Sequence, residues 1–321
     1  MKIGVFCALF NGKPLDEALS LIASKGVHMV EIGCGGFPGN NHANPEILLN
    51  DEKAFSEFKA TFEKYEMQIS AFSCHSNPIS PDKAEREEAQ KTIKNAILLA
   101  EKMGVHQINT FSGCAGDCPE SKRPNWVTCA WPPAYQEILD YQWNECLIPY
   151  WKETAAFALA HGVDKIALEL HPGFMVYNTA TMLRLREAVG PVMGANFDPS
   201  HLIWQGMDPV LVIRTLKDAI FHFHAKDTKI DTYNCALNGV LDTTSLADVS
   251  KRSWAFRTVG YGNDMSYWKG IISELRNIGY DYAISIEHED ALMSDVEGLT
   301  KAIEFLKDVV IETQPTDAFW A

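Results

Sequence analysis

The sequence predicts an α/β chain whose eight parallel strands close into a (β/α)8 TIM barrel. Three observations point there. Eight short apolar runs alternate with eight amphipathic segments along the 321 residues, and glycines recur just before several of the runs. Charged residues gather at the C-terminal tips of four runs. Such alternation without a composition break favours a closed barrel over an open doubly wound sheet. The length also fits, since one barrel takes ~250 residues or more. No Gly-x-Gly-x-x-Gly follows the first run, which argues against a dinucleotide fold.

Strands are expected to begin near Lys2, His28, Met67, His106, Lys165, Met193, Ile220 and Tyr282. Their β-branched and aromatic residues, with little intervening charge, read as strands buried on both faces. Helices are expected over Pro14–Lys25, Glu52–Tyr65, Pro81–Lys102, Pro133–Ala160, Thr179–Val189, Asp208–Leu216, Met265–Asn277 and Asp295–Val310. The third shows both boundary signals, Pro81-Asp82 at its start and Lys102-Met-Gly104 at its end. Gly26, Gly162 and Gly279 repeat that ending. Two connections are long: Ser112 to Pro132 after the fourth strand and Thr228 to Asp264 after the seventh. Both fall on the face where barrel enzymes build active sites, and their aromatic content predicts an ordered lid or wall. Residues 1–312 are expected to form a single barrel domain, with 313–321 as a C-terminal tail.

The 28 Lys and Arg against 42 Asp and Glu leave a net charge of −14, which disfavours nucleic acid and anionic membrane surfaces as partners. No apolar stretch reaches the ~18 residues of a membrane span. The N-terminal run Met1-Lys-Ile-Gly-Val-Phe-Cys begins a strand without the features of a signal peptide, so the cytoplasm is the expected compartment. The eight cysteines read as reduced thiols, several of them in the core. Cys114, Cys118 and Cys129 lack the paired spacing of a zinc site.

Glu169, Asp198, His224 and Glu287 lie at or near the ends of the fifth to eighth runs. A charged group in a buried strand is costly unless it is paired or holds a metal. One such residue reads as an ion-pair partner, but four at matching tips read as one site. Three oxygen donors and an imidazole suit one divalent ion, Mn²⁺ first and Mg²⁺, Co²⁺ or Zn²⁺ as alternatives, with positions left for substrate. Such an ion polarises a hydroxy-ketone or aldose, acidifies the neighbouring C–H and stabilises an enediolate. A carboxylate then takes the proton and returns it, to a neighbouring carbon for isomerisation or to the opposite face for epimerisation. Glu169 and Glu287, from strands three places apart in the ring, are the candidate catalytic pair.

Other polar residues share these tips. His171 lies two residues beyond Glu169 and faces the same way. His75, His201, Lys226 and Arg257 are expected near the substrate, and Glu31 either pairs with a cation or binds a sugar hydroxyl. His222 is expected one layer deeper, as a satisfied interior histidine. Trp126, like Trp131, Trp204 and Phe10, stacks on a sugar face or packs in a lid. No phosphate-cradling glycine loop follows the last two strands, which favours a non-phosphorylated sugar.

The runs Ala-Leu-Glu-Leu-His-Pro-Gly, Asn-Phe-Asp-Pro-Ser-His, His-Phe-His-Ala-Lys-Asp and Ser-Ile-Glu-His-Glu-Asp occur in that order. Together with Gly-Cys-Gly-Gly-Phe-Pro-Gly and Ser-Cys-His-Ser-Asn-Pro, they resemble the sugar phosphate isomerase/epimerase family of the xylose-isomerase-like barrels. The resemblance covers nearly the whole chain. It implies one catalytic divalent metal on Glu169, Asp198, His224 and Glu287, with the two glutamates as opposed acid and base in ketose 3-epimerases. Those epimerases usually carry a further glutamate where this chain has Met175. Related abasic-site endonucleases use a three-zinc cluster. His75 matches one of its ligands, but Trp254 and Phe256 replace an Asp-x-His, and Asn109 and Thr110 stand where a histidine is needed.

The large subunit of C-glycoside deglycosidases is also similar, and His171 matches its general base. That likeness implies a lyase acting on 3-oxo-glycosides as the alternative, with a small partner subunit. A homo-oligomer is equally open. A non-catalytic sugar-binding barrel is the alternative of another class, and the intact ligand set argues against it.

Overall fold

The computed structural model describes residues 1–314 and Trp320. The expected tail at 313–321 therefore lies largely outside the described residues. Among the described residues the strands are β1 (Lys2–Phe6), β2 (Met29–Gly33), β3 (Gln68–Ser73), β4 (Gln107–Thr110), β5 (Lys165–Glu169), β6 (Met193–Phe197), β7 (Ile220–Ala225), β8 (Asp227–Ile230), β9 (Trp254–Arg257) and β10 (Ala283–Ile286). Eight of them close into a parallel barrel in the order β1-β10-β7-β6-β5-β4-β3-β2. The ring is sealed where Lys2 to Val5 of β1 pair with Ala283 to Ile286 of β10. All eight expected barrel strands are present, each within a residue of its expected start.

The helices follow from the same patterns. Lys83–Met103 buries Ile93, Ala96, Ile97 and Ala100, the spacing of one helical face. Each isoleucine hidden there contributes about 1.5–3 kcal/mol. Asp82 caps its N-terminus through the Ala84 and Glu85 amides, and Gly104 ends it in the left-handed region at φ 72°. Gly26, Gly162 and Gly279 take the same backbone sign at the other expected stops.

One expectation is modified. The span Pro133–Ala160 is not one regular helix but two, Ala134–Tyr141 and Ile148–Ala160, joined by a π turn over Gln142–Leu147. Pro149 has no N–H to give to the preceding turn, which accounts for the widening. The turn has a use: buried Gln142 donates from Nε2 to the carbonyls of Ala115, Gly116 and Asn125, pinning the long loop after β4.

The long connection after β7 is likewise more ordered than a loop. β8 and β9 pair antiparallel, Asp227 opposite Arg257 and Ile230 opposite Trp254, with a helix over Thr232–Asn238 between them. This ribbon stands over the C-terminal rim of the barrel. All eight cysteines are free thiols. No described helix is long and apolar enough to cross a membrane.

Candidate metal centre

The four tip residues meet. Glu169 ends β5, Asp198 follows β6, His224 lies in β7 and Glu287 follows β10. One ligand atom from each lies within 4.8 Å of the other three, and all but Glu287 are fully buried. Local sequence sets each one. Asp198 caps the short helix Pro199–Trp204, so its Oδ1 accepts from the Ser200 amide at 2.8 Å. Its Oδ2 is left without a hydrogen bond among the described residues, facing Lys226 Nζ at 3.0 Å. His224 donates from Nε2 to Glu31 Oε2 at 2.8 Å. That leaves Nδ1 toward the acids, 3.1 Å from Glu287 and 3.7 Å from Glu169. A carboxylate behind a histidine in this way fixes its tautomer and raises its basicity toward a metal.

Glu169 sits between two histidines. His201 Nε2 donates to its Oε1 at 2.9 Å, and His75 Nε2 lies 3.1 Å from its Oε2. The turn after β2 packs on the chain behind His75. Gly36 takes φ 67°, the Phe37 amide donates to the His75 carbonyl at 2.8 Å, and a Cβ on Gly36 would fall 2.1 Å from that oxygen. Only glycine fits that approach. His222 bonds Asn196 and Ser70 one layer down, as a satisfied interior histidine.

Lys226 is buried in the same cluster. Its ammonium donates to Glu287 at 2.7 Å and to Glu289 at 2.9 Å. Burial alone would lower its pKa, but the charges of Asp198, Glu287, Glu289 and Glu169 outweigh burial and raise it. Burial likewise opposes the charged form of His224, yet Glu31 and Glu287 hold it protonated. Glu169 is pushed up by burial and pulled well below the carboxylate range by His201 and His75. Asp198 moves the other way. Burial, with Glu287 and Glu169 nearby, pushes it up to about 7 against the pull of Lys226. Five carboxylates (Glu31, Glu169, Asp198, Glu287 and Glu289) thus share one ammonium and one imidazolium. The cluster is short of positive charge, and Asp198 shows it. A divalent cation fits this donor set.

The structure brings His171 to the same place, its ring centroid 4.1 Å from that of His201. Burial lowers the His171 pKa and keeps the imidazole neutral. Two of the residues expected near the substrate have partners within the protein. Glu31 is fully buried, and its oxygens accept from His224, Asn109 at 2.8 Å, Ser285 at 2.9 Å and Ser73, so no acceptor is left for a sugar hydroxyl. Arg257 donates from Nε to Asp290 at 3.0 Å and braces the ribbon. Trp126 packs edge-on against Tyr177 beside the site. Phe10 belongs to the core, and Trp131 is exposed on the surface.

Sequence reasoning missed Glu289 and Asn196. Glu289 stands to Glu287 as His171 stands to Glu169, two residues on along extended chain, and that spacing was the available signal. Asn196, whose Nδ2 lies 3.1 Å from His224 Nε2, gave none beyond being polar in an apolar strand.

The family model described as "xylose isomerase-like TIM barrel" matches residues 19–309. The uncharacterized protein YfiH of Bacillus subtilis strain 168 is 38% identical over 315 residues, covering 97% of this chain and 99% of its own. Among solved structures, the IOLI protein with a bound zinc atom superposes with a TM-score of 0.67 at 18% identity, covering 97% of this chain and 98% of that one. A D-tagatose 3-epimerase-like protein gives a TM-score of 0.64 at 22% identity, covering 96% and 98%. At these identities the two structures establish the shared fold.

Proposed function

The chain belongs to the xylose isomerase-like TIM-barrel family, and from that premise we propose that it is a divalent-metal-dependent isomerase or epimerase of a sugar or keto-sugar. The observation that carries the reading is the donor set: Glu169, Asp198, His224 and Glu287, from four strands, with ligand atoms within 4.8 Å and an excess of negative charge. These four residues would hold the ion. When bound, it supplies a Lewis acid that makes the C–H beside a carbonyl or hydroxyl more acidic. Mn²⁺ as the working ion and a cytoplasmic setting belong to the same proposal.

The chain's own residues do the rest. Glu169 and Glu287 come from β5 and β10, three places apart in the ring, and flank the bound sugar. One takes the proton from carbon and the other returns it. His75 and His201 fix the Glu169 carboxylate so that its orientation is set before substrate arrives. Lys226 keeps Glu287 ionised and ready as a base. Solvent-deuterium exchange tests this. A ketose or 3-oxo-sugar turned over in D2O should gain deuterium at the carbon next to the carbonyl. Glu287→Gln should lower that exchange by about 10²–10⁴-fold, the usual worth of a general base. Turnover with no exchange would rule the mechanism out.

A second reading rests on His171. A neutral, half-buried imidazole beside the acids is suited to act as the base in elimination from a 3-oxo-glycoside. Release of the aglycone, with no isomer of the free sugar formed, would favour that lyase over the isomerase.

A further inference from the structure

Glu169 offers its two oxygens to different neighbours. Oε2 lies 3.7 Å from His224 Nδ1, within the four-donor cluster. Oε1 accepts from His201 Nε2 at 2.9 Å. His171 stands on that second side, its ring centroid 4.1 Å from that of His201. One ligand atom each from Glu169, His171 and His201 lies within 4.8 Å of the other two. These three form a donor group that shares only Glu169 with the first. Two elements build it: the end of β5 with the residues just after it, and the helix Pro199–Trp204. The His171 Nδ1–H donates to the Pro172 carbonyl at 2.6 Å, which fixes the tautomer and leaves Nε2 as the ligand atom. A cavity of about 400 Å³ opens beside His171 and His201. It gives an ion a way in and room for the water that completes its coordination.

The charge balance points the same way. With a first ion in place, His224 ligates it as a neutral imidazole. Lys226 and that ion then bring three positive charges to five carboxylates, Glu31, Glu169, Asp198, Glu287 and Glu289. Charge left unbalanced in a buried cluster is costly, and a second divalent ion cancels it. Lys226, whose Nζ lies 3.5 Å from His201 Nε2, is already in that count. The donors also differ in kind. The first set has three oxygens and one nitrogen, whereas the second has two imidazole nitrogens and one carboxylate oxygen. Two histidines, one carboxylate and an open position for water suit zinc.

We infer that Glu169, His171 and His201 form a second divalent-cation site, selective for zinc, which shares Glu169 with the first site and blocks proton transfer when filled. The block follows because an ion on Glu169 and His171 occupies the lone pairs that would take the proton from carbon. That part rests on the proposed function; the binding itself does not.

Metal counting tests the site without substrate. The full chain, dialysed against Zn²⁺ and analysed for bound metal, should hold two ions. His171→Ala and His201→Ala should each hold one. Glu287→Gln, altered only in the first set, should keep the ion that His171 binds and lose it when His171→Ala is added. One ion in the unaltered protein would overturn the inference, and so would two ions retained, or both lost, in each histidine variant. Deuterium exchange then reads the block. Raising Zn²⁺ over Mn²⁺-loaded protein should lower exchange by about 10²–10⁴-fold, the usual worth of the base it occupies. His201→Ala should remove that inhibition. Two bound ions with exchange undiminished would overturn the block. Two bound ions with no exchange under any metal condition sink the proposed function alone, and exchange with a single ion per chain sinks the second site alone.

Discussion

His224 has an acid on either side, Glu31 beneath it and Glu287 above it, and the two carboxylates do different work. Glu31 cannot reach substrate; it sets which imidazole nitrogen faces the acids. Replacing it with glutamine keeps the shape and removes the charge that holds the tautomer. Glu31→Gln should therefore bind Mn²⁺ about 10–100-fold more weakly, the usual effect of losing such a partner, as read by metal titration of the purified protein. Unchanged affinity would mean that Glu31 plays no part in tuning the histidine. Lys226 makes the complementary case. Its ammonium is the counter-charge of Asp198 and Glu287 when no metal is bound. In chelator, Lys226→Met leaves Asp198 buried without its cation and Glu287 with His224 alone, so unfolding should become easier by about 3–5 kcal/mol. Saturating Mn²⁺ should restore most of that loss. Denaturant midpoints measured with and without metal decide it, and a variant as stable as the parent in chelator would show that the ammonium is not the balancing charge.

At the scale of elements, the ribbon β8–β9 is tied down at one end, where Asp227 pairs with Arg257, by two aspartates. Asp227 accepts from the amides of Gly260, Gly262 and Asn263 and from the Trp268 indole. Asp290, beyond β10, accepts from Arg257 and from the Thr258 amide. Burial pushes the Asp290 carboxyl up, but the Thr258 and Leu292 amides and Arg257 outweigh it and hold the pKa below the usual value. A depressed carboxyl contributes its stability above the unfolded pKa of about 3.9 and loses it as pH falls through the lower folded value. Amide protection of the ribbon should therefore drop below about pH 4, ahead of the barrel strands, and Asp290→Asn should reproduce the drop at neutral pH. Hydrogen exchange across that range checks both; ribbon and barrel losing protection together would remove Asp290 from the account. This ribbon also marks where the sequence stops being legible. Barrel strands announce themselves as apolar runs, because burial on both faces excludes charge. Asp227 to Asp264 instead carries its strands as Asp-Thr-Lys-Ile and Trp-Ala-Phe-Arg, half polar and separated by 23 residues, so only the pairing reveals them. The fates of Arg257 and Glu31 were hidden for a related reason. Each is decided by a partner far along the chain, Asp290 for one and His224 for the other, whereas Glu169 and Asp198 were legible because a charge at the end of an apolar strand is anomalous in itself.

For the whole molecule, the positions of the four donors matter more than their identities. β5, β6, β7 and β10 are consecutive in the ring, so the donors span one continuous arc that ends beside the β1–β10 seam. No short stretch of chain carries the set: Glu169 and Glu287 are separated by most of the second half of the sequence. An ion that needs all four binds the folded barrel and not the unfolded chain, and its binding free energy becomes folding free energy. At a hundred times the dissociation constant that linkage is worth about 2.7 kcal/mol. At roughly 2–4 °C per kcal/mol for large domains, Mn²⁺ should raise the melting temperature by about 5–10 °C over the same protein in chelator. Glu287→Gln, which takes a charged donor from one end of the arc, should lose most of the increment while changing the chelator-bound baseline less. Identical melting curves in Mn²⁺ and in chelator would break the link between the donor cluster and a resident ion. An increment of equal size in Glu287→Gln would place the ion elsewhere on the molecule. An ion held by all four donors would fasten half of the barrel, and the contrast with Lys226→Met follows. The lysine balances the same charges from a single point between β7 and β8, so it stabilises the cluster without joining the arc.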